Sequence, residues 1–239
     1  MPTAVLVDGD FFLRRYRDQC GEHSPEQVAR NLHELCLRHL DQLNQKNVDR
    51  HSLYRIFFYD CPPLEKKAHN PLTGRSVDFS KTPIAHFRKS LHQELSKKRK
   101  VALRLGYLNE SQAAWIIKAN PTRAILKGDR TVNDLDPDRD IKYDAKQKGV
   151  DMRIALDIAS MSFKGQVDRI ILISGDSDFV PASKLARREG VDFILDPMWS
   201  NINPDLYEHI DGLQSPPPCS MAGNKGGSYD WNSKDKDPT

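Results

Sequence analysis

Arg169-Ile170-Ile171-Leu172-Ile173-Ser174-Gly175-Asp176-Ser177-Asp178-Phe179 sets four aliphatic residues directly against a polar, acidic turn. An uninterrupted apolar run of that length reads as a strand buried on both faces. Residues 179–189 then follow a helical pattern closed by Gly190, and Val191-Asp192-Phe193-Ile194-Leu195 forms the next strand-like run. Strand, helix and strand at this spacing predict a parallel sheet with helical crossovers.

The same grammar extends in both directions. Upstream, residues 150–162 form an amphipathic helix with Ile154, Ala155, Ile158 and Met161 on one side. At the start of the chain, Ala4-Val5-Leu6-Val7 is a second buried run, and it ends at Asp8-Gly9-Asp10. Ser24-Pro25-Glu26-Gln27 marks a helix start, with Ser24 as N-cap and proline in the first turn. Residues 53–59 give a further strand, which reaches Asp60 and is stopped by Pro62-Pro63; Asp60 is read there as a turn residue. The stretch 64–145 is the least regular, a basic insert containing a helix from Thr82-Pro83 to about residue 98 and a strand near 101–108. Residues 120–143 within it are charged and turn-prone. From residue 215 onward, Pro216-Pro217-Pro218 and a Gly/Ser/Lys/Asp mixture predict a disordered tail. The expected organisation is one domain, 1–214, with a tail at 215–239.

Composition narrows the classes. The chain has 239 residues, of which 38% are hydrophobic, and no apolar run approaches the roughly 18 residues of a membrane span. Met1-Pro2-Thr3 leads straight into a strand without the ordered regions of a secretory signal. Cys20, Cys36, Cys61 and Cys219 lack metal or disulfide-framework spacing, so four reduced thiols and a cytoplasmic setting are expected. The net charge of +3 is unevenly spread. The segment 81–104 carries eight Lys and Arg against Glu94 alone, leaving the remainder slightly acidic. A basic segment beside an acidic remainder suits either a polyanionic ligand or an ordinary solvated helix face.

Ligands of open parallel sheets bind beyond the carboxyl ends of the strands. Asp8 and Asp10 follow the first strand, Asp176 and Asp178 follow the strand at 169–173, and Asp151 opens the helix leading into that strand. Any one of Asp151, Ser177 and Asp178 could be a helix cap. Together, however, the aspartates bring carboxylates from three parts of the chain to one end of a sheet. Like charges held together repel, and hard divalent cations such as Mg²⁺ or Mn²⁺ are their natural counterion. Asp157 lies six residues after Asp151, roughly 9 Å along the helix axis, too far round to share an ion with it.

The order of motifs resembles the NYN family of PIN-like nucleases, in its bacterial LabA-like branch. The carrying residues are VDGDFF at 7–12, KGVDMRIALD at 148–157 and SGDSDFVP at 174–181. The resemblance implies a three-layer α/β/α sandwich around a mainly parallel sheet, and an acidic cluster of Asp8, Asp151, Asp176 and Asp178 that binds Mg²⁺ or Mn²⁺. It also implies metal-dependent cleavage of nucleic acid, RNA ahead of DNA. Asp10 departs from the family's first motif, which often carries Asn, and Asp157 matches a second acidic position of the family pattern. Arg88, Lys89, Lys97, Lys98, Arg99 and Lys100 are expected to hold the phosphate backbone. A homo-oligomer is compatible with the sequence; a membrane partner is not expected. Two rivals stay open: an inactive RNA- or protein-binding domain, and a haloacid-dehalogenase-like phosphatase. The second would use Asp8-x-Asp10 as its nucleophile motif, but it also needs an acid about four residues after Asp176, where Val180 stands.

Overall fold

The computed structural model describes residues 1–46 and 51–219. Its central strands are β1 (Pro2–Asp8), β2 (Ser52–Asp60), β3 (Val101–Leu105), β4 (Arg169–Ile173), β5 (Asp192–Asp196) and β6 (Gly212–Leu213). They form one sheet in the order β6–β5–β4–β1–β2–β3, and every neighbouring pair is parallel. The chain starts in mid-sheet, builds outward on one side, then returns to build the other. The strand order therefore reverses between β1 and β4, which is where open α/β sheets place their ligands.

Alternation along β1 assigns the layers. Ala4 and Leu6 face one core with Ile154, Ile158 and Met161 of α5 (Val150–Phe163) and Ala182 and Ala186 of α6 (Val180–Arg188). Val5 and Val7 face the other core. There they meet α1 (Gly9–Cys20), Leu32 and Leu35 of α2 (Pro25–Lys46), and Leu91 and Leu95 of α3 (Pro83–Ser96). Because both faces of the sheet are covered, the middles of β1, β4 and β5 are continuous apolar runs, as the sequence pattern implied. The α/β/α sandwich with a parallel sheet is therefore the observed architecture.

The stretch 64–145 divides in two. Helix α3 and strand β3 belong to the main sandwich, β3 as its edge strand. The remainder is a small lobe with its own antiparallel ladder, in which 114–117 pairs with 141–144, and a short helix, α4 (Ala119–Leu126). Phe79, Trp115 and Tyr143 pack together at its centre, with Phe79 and Tyr143 stacked at 4.9 Å. Residues read as turn-prone thus carry both a helix and a strand.

The C-terminal segment also differs from expectation. Residues 215–219 are packed rather than loose: Ser215 donates to Asp196 at 2.7 Å, and Pro216 and Pro218 are buried. The rest of the expected tail, 220–239, lies outside the described residues. Cys20 and Cys219 are joined in a disulfide across 199 positions, in place of two of the four free thiols expected. Spacing along the sequence cannot reveal such a pair, because only the fold brings the end of α1 to the segment after β6. Cys36 and Cys61 are free and buried, as expected of reduced thiols. Among the described residues no helix is long and apolar enough to cross a membrane.

Candidate metal centre at the carboxyl end of the sheet

Three strands of the central sheet end in aspartate: β1 in Asp8, β2 in Asp60 and β5 in Asp196. The two flanking ones are fully buried and partnered by basic side chains. Asp60 meets His92 Nε2 at 2.8 Å, pairs with the guanidinium of Arg88, and accepts the backbone N–H of Cys61. Asp196 meets His39 Nε2 at 2.9 Å and accepts from Met198 N and Ser215 Oγ. Asp60, read as a turn residue, is therefore an internal anchor. The prolines that follow it end the strand but say nothing of what its side chain holds.

Asp8 stands between these two with no basic partner among the described residues. Its carboxylate accepts Phe11 N at 3.2 Å, capping α1, and Ser174 Oγ at 3.3 Å. Burial pushes its carboxyl up to about 6, with the carboxylates of Asp151 and Asp10 adding to the rise against the Phe11 N–H. Asp151 lies in the first turn of α5, behind Gly149, whose φ of +78° takes the left-handed turn that glycine adopts without strain. The Asp151 carboxyl is also pushed up, by desolvation and then by Asp176 and Asp178. Asp176 caps the short helical turn after β4 by accepting Asp178 N at 3.0 Å. The side chains of Asp151 and Asp178 are exposed and make no hydrogen bond or ion pair among the described residues. Helix capping thus fails to account for Asp151 and Asp178, whereas Asp8 and Asp176 cap and also face the cluster.

The close approach of the start of α1 to the end of β2 beneath these acids depends on Gly9. A Cβ there would lie 2.6 Å from the Tyr59 carbonyl oxygen and 2.8 Å from the Phe58 ring. Asp8 and Asp176 open on a cavity of about 400 Å³ that is also lined by Arg14, Ser200, Asn201 and Asn203. Arg14, Asn201 and Asn203 are not singled out by the sequence patterns above. The available signal was position: Arg14 is roughly one and a half helical turns beyond Asp8, and Asn201-x-Asn203 follows the carboxyl end of β5.

The donor set fits a hard divalent cation, being made only of carboxylate oxygens, two of which, on Asp8 and Asp151, are held in their charged form at a cost by burial and by neighbouring carboxylates. As placed, no three His, Cys, Asp or Glu side chains among the described residues converge closely enough to hold an ion together. Asp151, Asp176 and Asp178 are exposed, and side-chain rotation is what would bring them in. Asp157 is not part of this group: it accepts from Tyr59 Oη at 2.8 Å and from Arg104 Nε at 3.0 Å, as a brace between α5 and the sheet.

The basic residues scatter. Arg88 is committed to Asp60 and Asp10, and Lys89 pairs with Glu65 at 2.6 Å. Lys97 pairs with Glu94 at 2.6 Å, and Lys100 Nζ donates to the Leu53 carbonyl. Leu53 lies opposite Thr3 and Tyr59 opposite Asp8, so Lys97, Lys98, Arg99 and Lys100 sit at the amino end of the sheet. That is about 17 Å of strand away from the acids. Helix α3 runs down the sandwich from one end to the other, and a charge run along it does not declare which end it reaches.

A parallel α/β/α sandwich with uncompensated carboxylates at its topological switch point is the architecture of the PIN-like class. The sequence profile of the NYN domain family matches residues 2–203, and the chain belongs to that family, whose members are generally nucleases. No curated protein matches. Among solved structures, the chain is similar to a protein of unknown function from Vibrio parahaemolyticus, at 14% identity and a TM-score of 0.43, with 90% of this chain and 91% of that one covered.

Proposed function

We propose that the protein is a Mg²⁺- or Mn²⁺-dependent nuclease that hydrolyses phosphodiester bonds in RNA. The observation that carries this reading is Asp8: of the three strand-ending aspartates of the central sheet it alone has no basic partner among the described residues, and the charged neighbours that act on it are other carboxylates. Such an arrangement costs stability unless a cation is recruited. Asp8 and Asp176 would hold the ion, and Asp151 and Asp178 would complete or orient its ligand set. Bound there, the ion would supply the Lewis acidity that phosphodiester hydrolysis requires. Arg14, Asn201 and Asn203 contribute a cation and two amides to the lining of the same cavity, suited to orienting a phosphate and the sugar beside it. The test is to incubate purified protein with end-labelled RNA and DNA in Mn²⁺, Mg²⁺ or EDTA, with Asp176→Asn alongside. RNA cleavage by the wild type in either ion, absent in EDTA and in the variant, is expected. Equal turnover by the variant would refute the assignment.

A further inference from the structure

Arg88 projects from the upper part of α3 and uses two edges of its guanidinium unequally. Nη1 donates to Asp60 Oδ1, and Nη2 donates to Asp10 Oδ1 at 2.7 Å. Asp60 is fully buried and held on its other side by His92 Nε2, itself packed edge-on to Phe58. The Arg88 side chain is 17% exposed, and the Asp10 side chain is 54% exposed.

The two pairs therefore differ in strength by orders of magnitude. Breaking a buried pair leaves an uncompensated charge and shifts an equilibrium by roughly several hundred-fold or more. An exposed pair is worth at most about five-fold. One edge of the fork is fixed and the other is held by an easily displaced carboxylate. Asp10 also lies close enough to Asp8 to raise its proton affinity, so this edge borders the acid cluster. A guanidinium anchored on one side, facing outward on the other and loosely occupied by an anion, has the geometry of a bidentate phosphate receptor.

We propose that Arg88, seated on the buried Asp60–His92 pair, exchanges Asp10 for a phosphate of the bound nucleic acid, with Asp60 as its positioning residue. The inference deepens the nuclease reading and rests on it for the identity of the ligand. It also replaces the basic run at the far end of α3 with a single fixed cation beside the acids. Asp10, released from Arg88, becomes free to turn toward Asp8.

Binding and cleavage are measured separately. Anisotropy of a fluorescent, unstructured RNA oligomer in Ca²⁺, titrated with salt, reports binding; disappearance of full-length RNA in Mn²⁺ reports cleavage. Arg88→Gln should weaken binding about ten-fold at low salt and flatten the log–log salt slope by ~0.7. Asp60→Asn separates positioning from charge: removing a negative charge alone would tighten RNA binding, whereas removing the anchor weakens it. Arg88→Lys keeps the charge and can keep the Asp60 pair but lacks the second edge, so its binding should fall nearly as far as that of Arg88→Gln. It decides the matter if Asp60→Asn fails to fold. Asp10→Asn should bind RNA more tightly than the wild type. Arg88→Gln and Arg88→Lys binding with the wild-type slope would overturn the proposal, leaving Arg88 as a brace between α1, β2 and α3. Wild type that binds RNA without cutting it refutes the nuclease reading while the variants still decide Arg88. Wild type that does not bind at any salt overturns both.

Discussion

Asp8→Asn in the metal-free protein isolates the cost of keeping a carboxylate buried, and faced by other carboxylates, without a cation. The carboxyl of Asp8 is pushed from 3.8 to about 6 in the folded chain. Native structure thus disfavours its ionised form, and a shift of that size corresponds to about 3 kcal/mol. Asp8 is partly open to solvent, so about 2 kcal/mol is the expected observable effect after screening. The sign follows from linkage: an acid whose folded pKa is raised costs nothing while protonated in both states, below about pH 4. The cost grows as pH rises through the interval from 3.8 to about 6 and is complete above it. Asparagine keeps the oxygen that caps Phe11 N, and its amide can donate to Ser174 Oγ, so the substitution removes the charge and little else. Urea unfolding in EDTA at pH 8 should show Asp8→Asn about 2 kcal/mol more stable than the wild type, with the difference shrinking toward zero near pH 4. Saturating Mn²⁺ should reverse the order by stabilising the wild type alone. A variant less stable than wild type at pH 8, or a difference independent of pH, would refute the idea that Asp8 is an uncompensated charge.

Three further outcomes follow from the surroundings of the site. Asp196→Ala leaves His39 Nε2, Met198 N and Ser215 Oγ without their buried partner and should cost at least about 2–3 kcal/mol in urea unfolding, against near-neutrality for breaking an exposed pair such as Arg30–Glu26. Replacing Lys97, Lys98, Arg99 and Lys100 by Gln should leave Mn²⁺ affinity by calorimetry unchanged and leave binding of a trinucleotide unaffected. The salt slope for a long RNA should be unchanged as well; a slope lowered by ~0.7 for each residue replaced would return this segment to the binding surface. Cys219→Ser opens a covalent loop of nearly the whole chain and should lower stability by about 2–5 kcal/mol under oxidising conditions, with no effect in excess dithiothreitol.

Legibility in the sequence depended on range. The strand at 169–173 and its acidic turn were readable because period and polarity are local, and the order of strands and helices pointed to a parallel sheet. That Asp8, Asp151, Asp176 and Asp178 lie toward one end of the sheet was readable once its carboxyl end was located. What could not be read depended on distant partners. Asp60 looks like any residue before two prolines until α3 delivers Arg88 and His92 to it. Lys97, Lys98, Arg99 and Lys100 dominate the charge profile, yet much of the length of α3 separates them from Arg88, the residue that reaches the acids. Cys20 and Cys219 lie at opposite ends of the described chain, and only the closed fold makes them neighbours.

The order of strands has a consequence for the timing of synthesis. Of these six strands β1 is made before the others and lies in mid-sheet, and its partner on one side, β2, begins at Ser52. Its other partner, β4, begins only at Arg169. At roughly 5–20 residues per second, one edge of the sheet's innermost strand stays open on the ribosome for on the order of ten to thirty seconds. Whatever Asp8 does together with Asp151, Asp176 and Asp178, a nascent chain cannot do it. Translation that stops before residue 169 releases a product with Asp8 and Asp10 on a strand open along one edge. Assembly of the carboxylates is thereby tied to closure of the sheet.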